Sequence, residues 1–170
     1  MLEMKSESFA GMVDGANTIT EVFSVVERIV LEGFKAHRPV MLGLADLGVQ
    51  GAFMIGAFHP VGSNLIVLNR TPLERIGSNA PKELFNAYCF HVLLHEYLHA
   101  LGLLDEQLVG AMVHEISRKF LGENHPATVM SVKGVTHFFP FIMHYAPGTL
   151  PELKVEIVRN FSQQGTNYFV

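Results

Sequence analysis

Apolar and polar positions first settle into a helical rhythm near residue 18. Thr18 followed by Glu21 has the form of a capping box, and Ile19, Val22, Phe23, Val26, Ile29 and Val30 then recur at three- and four-residue intervals, which predicts an amphipathic helix over residues 18–36. After Arg38-Pro39 the pattern changes. Three short runs rich in β-formers, residues 40–45, 51–58 and 64–69, are separated by glycine-bearing breaks and predict strands. Thr71-Pro72 restarts the chain, and Asn79-Ala80-Pro81 supplies a cap and a first-turn proline for a long helix ending near Leu101. That helix is apolar on nearly every side, through Leu84, Phe85, Tyr88, Phe90, Leu93, Leu94 and Leu98, so it is expected in the core. Gly102 closes it, Asp105 caps a second helix over residues 106–121, and Gly122 and Pro126 close that one. Residues 136–144 are aromatic and apolar, broken at Pro140, and residues 147–151 read as a turn. The order of elements predicts an α+β fold in one domain over residues 1–170: an N-terminal helix and a small mixed β-sheet packed with a buried helix.

Composition narrows the function classes. The chain has 170 residues, 49% hydrophobic and 16% charged, and a mean hydropathy of +0.28, which calls for a check against membrane spans. The most apolar stretch, residues 40–68, is broken by Asp46, Gln50, His59, Pro60 and several glycines, so short buried strands are expected there and no membrane span. The first nine residues lack the basic start and apolar run of a secretory signal, which points to a cytoplasmic address. Cys89 is the single cysteine, so no internal disulfide forms; on an apolar helix it reads as a small buried hydrophobe. The net charge is −4 with no basic cluster, and nucleic acid is not an expected partner. What stands out is nine histidines.

Two of them share a helix face. His95-Glu96-Tyr97-Leu98-His99 is an H-E-x-x-H pattern, and side chains four apart sit one above the other, so both imidazoles can face one ion at bonds of about 2.0–2.1 Å. Glu96 lies about 100° round the helix, within reach of a water on that ion but not its natural ligand. This is the arrangement of a zinc hydrolase, with Glu96 as general base. Gly102 and Asp105 follow His99 at three-residue steps; a glycine there lets the backbone turn back towards the metal and brings Asp105 up as a third ligand, leaving a fourth position open as catalytic zinc requires. H-E-x-x-H alone arises in roughly 4% of shuffled chains of this composition, whereas the extended pattern falls to roughly 0.05%.

Residues 95–105 resemble the extended zinc motif of the metzincin metallopeptidases, in the variant with Asp as third ligand found in snapalysin-like enzymes. Thr128-Val129-Met130-Ser131 is similar to their Met-turn. The resemblance implies a zincin-like fold with a mixed sheet above the active-site helix, zinc on His95, His99 and Asp105, Glu96 as general base, and Met130 beneath the metal. It covers about a tenth of the chain. Metzincins usually carry His as the third ligand, followed by irregular chain. A gluzincin-like arrangement, with Glu106 or Glu115 as third ligand, therefore stays open, as does a nearby histidine.

The expected activity is zinc-dependent peptide hydrolysis, with peptide or protein as substrate. Two alternatives stand beside it: a zinc hydrolase of a non-peptide amide or ester, and a zinc-binding interaction module that hydrolyses nothing. His91, one turn before His95, is expected as a core or rim histidine, with a fourth-ligand role as the sharper alternative. His114, His125, His137 and His144 are further candidates for metal or transition-state contacts, and Tyr145 for an oxyanion contact, each with packing as the ordinary expectation. Residues 64–69 are a candidate edge strand for an extended peptide, with an ordinary core strand as the plainer expectation.

Overall fold

The computed structural model describes residues 7–48, 54–143 and 155–158. The expected α2 helix runs Ile19–Phe34, capped by Thr18, whose hydroxyl accepts from the Glu21 N–H. The Glu21 carboxylate reaches back to the N–H of Asn17, one residue before the cap, so the two ends of the capping pattern each hold a backbone donor. Before it lies a short helix, α1 (Phe9–Gly15), capped by Ser8. Strand β1 (Met41–Ala45) follows the Arg38-Pro39 break, β2 is the two-residue Ala57–Phe58, and β3 is Leu65–Asn69. Parallel pairing joins β1 to β3, and β2 lies antiparallel to β3. With β4 (Glu156–Val158) antiparallel to β1, the sheet order is β2-β3-β1-β4, a mixed α+β architecture.

Of the run at 51–58, residues 51–53 lie outside the described residues and only Ala57–Phe58 is strand. The run at 64–69 is not an edge. It forms β3, flanked by β2 and β1 and buried over its last four residues, so among the described residues the free edge beside it belongs to β2.

Helix α3 (Arg70–Asn79) was not evident from apolar spacing; it starts because Asn69 caps it through the Thr71 N–H and Pro72 fits its first turn. Asn79 ends that helix rather than capping the next, and α4 (Lys82–Ala100) begins after Pro81 without a side-chain cap. Helix α5 (Glu106–Leu121) has the expected bounds.

Thr128-Val129-Met130-Ser131 does not form a turn. It lies inside a continuous helix, α6 (Pro126–Lys133), because His125 caps the chain through the Ala127 N–H, Pro126 occupies the first helical position, and nothing interrupts the helix before Gly134. Met130 is a buried core residue on that helix. The aromatic stretch then makes α7 (Val135–Phe138) and a 3-10 turn at Pro140–Met143. The turn expected at 147–151 falls outside the described residues.

Burial on most sides makes α4 the hub: it packs on α1, α2, α3, α5, α6, β2 and β3, with Tyr88, Cys89, Phe90, Leu93, Leu94, Tyr97 and Leu98 all in the core. Two buried asparagines carry the irregular backbone. Asn86, on α4, donates to the Val13 and Ala16 carbonyls at the end of α1. Asn69, wholly buried, accepts from the Leu47 and Thr71 N–H groups and donates to the Gly48 and Ile55 carbonyls. All four of its bonding positions are used, and they tie the loop after β1, the entry to β2 and the start of α3 to one side chain. Asn69→Ala leaves those groups without partners away from water and is expected to cost about 3 kcal/mol. The midpoint and slope of urea unfolding check this; a loss under about 1 kcal/mol would mean water replaces the amide.

Candidate functional site

The site is built at the end of α4. Position 102 has φ +106°, a region favourable to glycine alone. Around it the Gly102 N–H donates to the His99 carbonyl and the Leu103 N–H to the Leu98 carbonyl, the paired bonds of a Schellman stop. The stop turns the Leu103 carbonyl towards the helix it has just left, where it accepts from Nδ1 of His99 at 2.6 Å. A neutral His99 with its proton on Nδ1 has a lone pair on Nε2. That nitrogen lies 3.2 Å from Nε2 of His95.

The third member of the group is Glu106. Its Oε1 is 2.8 Å from His99 Nε2 and its Oε2 is 3.1 Å from His95 Nε2. Asp105, expected as the third ligand, stands outside the group. Its carboxylate caps α5 by accepting from the Leu108 N–H at 2.9 Å. Glu106 is the first residue of α5, and helical side chains lean towards the helix N-terminus, so it projects back over the loop to the two imidazoles. Glu115 instead pairs with Arg118 on the surface of α5.

His95, His99 and Glu106 are the set of His, Cys, Asp and Glu side chains, among the described residues, whose ligand atoms lie together within 4.8 Å. Tetrahedral ligands at about 2.0–2.1 Å from zinc are about 3.3 Å apart, and the separations here are 2.8–3.2 Å. The donor set also fits chemically. A lone pair on His99 Nε2 facing a carboxylate oxygen at 2.8 Å is repulsive unless a cation or a proton lies between them. Burial lowers the His95 pKa, with the Glu106 charge opposing and His99 adding to the fall, and a neutral ring is the form that ligates.

Glu96 behaves differently from Glu106. It is only 9% exposed. Burial pushes its carboxyl up to about 8, the neighbouring Glu106 charge adds to the rise, and a backbone hydrogen bond from His59 opposes it. A cleft of about 340 Å³ opens over the group, lined by Ala57, Phe58, His59, Val61, Glu96, His99, Leu104 and Glu106. Strand β2 therefore forms one wall and the α4–α5 end the other. Val61 and Leu104 stand at its rim, 78% and 62% exposed.

The other histidines fall elsewhere. His91 is held neutral, its pKa lowered to about 4 by burial and secondarily by His95, and its Nδ1 has no hydrogen-bond partner among the described residues. It is not part of the metal-ligand group. His114 pairs with Ser131, His125 bridges Asp14 and the Ala127 N–H, and His137 meets the Phe138 ring edge-on. His144 and Tyr145 lie outside the described residues. Sequence reasoning missed His59, whose only signal was a histidine-proline pair after an apolar run.

Among the described residues no helix is long and apolar enough to cross a membrane. No protein-family model matches the chain, and no curated protein or solved structure shows significant similarity to it.

Proposed function

We propose that the protein is a zinc-dependent peptidase of zincin-like design, with His95, His99 and Glu106 as metal ligands and Glu96 as general base. The observation that carries this reading is the convergence of three electron-pair donors, His95 Nε2, His99 Nε2 and a Glu106 oxygen, beside a second carboxylate that is buried and unliganded. Two imidazoles and one carboxylate with an open cleft above them match a catalytic zinc set, since a structural site is usually closed by four protein ligands. When bound, zinc supplies Lewis-acid polarisation of a carbonyl and acidification of a water molecule.

The protein's own groups do the rest. Leu103 holds His99 through its second ring nitrogen, fixing the tautomer and orientation of the ligand. Glu96, in the cleft but one helical position round from His95, takes the proton of the attacking water and hands it to the leaving nitrogen. Its burial favours the protonated form that this second transfer needs, while a cation on the ligands works the other way by neutralising Glu106. Among the described residues the outer edge of β2 is unpaired, which suits an extended peptide lying along it, and Val61 and Leu104 offer apolar rim contacts to its side chains.

Metal analysis after reconstitution separates the ligand sets. Glu106→Ala is expected to lose stoichiometric zinc, with affinity down by more than about 100-fold, because a direct ligand weighs more than an outer partner. Asp105→Asn is expected to keep zinc, since Asn caps a helix as well as Asp does. The reverse result would restore Asp105 as the ligand.

Glu96→Gln tests the chemistry on a fluorogenic peptide library. Zinc content is expected to stay at wild-type level while turnover falls by about 10²–10⁴-fold. Wild-type activity in that variant would remove Glu96 from the mechanism, and a zinc-loaded wild type that cleaves no peptide would remove peptidase activity itself.

A further inference from the structure

His59 follows β2 directly and lines the same cleft as Glu96, His99 and Glu106. Its backbone and ring are both engaged. The backbone N–H bonds the Glu96 carboxylate, and ring Nδ1 donates to the Leu65 carbonyl at 2.8 Å across the hairpin. That hairpin is stiff. The Ser63 N–H and hydroxyl both donate to the Pro60 carbonyl, the Leu65 N–H donates to the Ser63 hydroxyl, and Gly62 takes the left-handed position of the turn at φ +83°. The imidazole is thus oriented before any ligand arrives. With the proton on Nδ1, the neutral ring has an acceptor at Nε2, and that atom has no partner among the described residues.

An oriented, unused acceptor on a cleft wall already joined to the proton-transferring carboxylate has a chemical use. Resting on the peptidase reading above, we propose that His59 is a catalytic residue whose Nε2 accepts a hydrogen bond from the N–H of the scissile peptide bond. The His59 backbone is hydrogen-bonded to Glu96 from the opposite wall of the cleft, and Glu96 delivers the proton to that same nitrogen. As hydrolysis proceeds, the water oxygen bonds to the carbonyl carbon, and the water's proton passes through Glu96 to nitrogen. The carbon–nitrogen bond then breaks, with its electron pair leaving on the amine. The nitrogen becomes more positive on protonation, so its N–H bond to His59 strengthens towards the transition state, which is how a contact accelerates the reaction rather than only binding substrate.

Two isosteric replacements separate this role from the hairpin bond. Asn at 59 places an amide N–H where Nδ1 stood and leaves nothing at Nε2, whereas Gln places its amide near Nε2. His59→Asn is therefore expected to keep zinc content and thermal unfolding while lowering kcat about 100-fold with KM little changed, and His59→Gln to recover about tenfold of that loss. Asn at wild-type kcat would reduce His59 to a hairpin tie and overturn the proposal while leaving the peptidase reading intact.

A binding measurement gives the same answer without turnover. A phosphonamidate peptide mimics the tetrahedral state and keeps the N–H, and the matched phosphinate has CH₂ in its place. On zinc-loaded wild type the phosphonamidate is expected to bind at least about tenfold tighter, and His59→Asn to erase the difference. An advantage that persists in the variant would assign the N–H to another acceptor and overturn the proposal. A wild type that binds neither compound and cleaves no peptide would instead overturn the peptidase reading on which it rests.

Discussion

The left-handed exit of the chain at Gly102 is the constraint on which the site depends. A helix that ran on past Leu101 would carry the Leu103 carbonyl away along its axis, and His99 Nδ1 would lose the acceptor that sets its tautomer. The same stop reverses the chain within three residues, so that Asp105 caps the next helix and Glu106 returns to the imidazoles. One backbone conformation thus orients His99 and delivers Glu106 to it. A Cβ at position 102 would meet nothing within 4 Å, so the demand for glycine there is one of φ and not of room.

Rigidity comes from α4. A helix apolar on nearly all sides has no solvated face to roll towards water, and seven other elements hold it in place. The Arg38 guanidinium bonds the Ala100 carbonyl at its C-terminal end, and the Arg38 N–H bonds the Tyr97 hydroxyl, so the end nearest the site is fastened to the chain entering β1. His95 and His99 are therefore carried on a helix that also packs directly against β2, the strand that leads into His59. Polar atoms left inside this frame are few; Tyr88 Oη, His91 Nδ1 and Ser117 Oγ are the buried side-chain donors or acceptors without partners among the described residues.

How far the sequence disclosed this follows from the range of each interaction. Helices α2, α4 and α5 were legible because caps, glycine stops and 3.6-residue spacing are local, and the pairing of His95 with His99 was legible because four residues along a helix fix a shared face. The third member of the group was not. Asp105 and Glu106 are neighbours, and which one reaches the two imidazoles depends on where α5 begins. An Asp at the cap is consumed by its own helix through the Leu108 N–H, while a Glu one position on leans back over the N-terminus, so the cap assignment read correctly from the sequence already disfavoured Asp105. The Met130 reading failed for a related reason: a cap and first-helical proline at 125–126 make that segment helical, and the tetrapeptide resemblance contained no information about them. Residues 64–69 form the interior strand that was their plainer expectation, and the edge alternative gave way because edge position is a property of the whole sheet.

The two carboxylates of the cleft show why the arrangement asks for a cation. Glu106 is largely exposed, its side chain 73% open to solvent, so its own charge is solvated; Glu96 is buried, and that charge nearby makes its ionisation harder still. Left alone, the pair is frustrated: with its proton on Nδ1, His99 presents a lone pair to Glu106, and Glu96 is pushed towards its neutral form. A single divalent ion held by His95, His99 and Glu106 would relieve both strains, because it would accept lone pairs from the group and offset the charge that Glu96 feels. A backbone hydrogen bond from His59 meets Glu96 in the cleft, so under the proposed reading one carboxylate would bind the ion while its neighbour stays free to move a proton. Burial divides these roles. The exposed acid keeps its charge in water, whereas burial and the Glu106 charge push the Glu96 carboxyl up to about 8, a range suited to both taking and giving a proton.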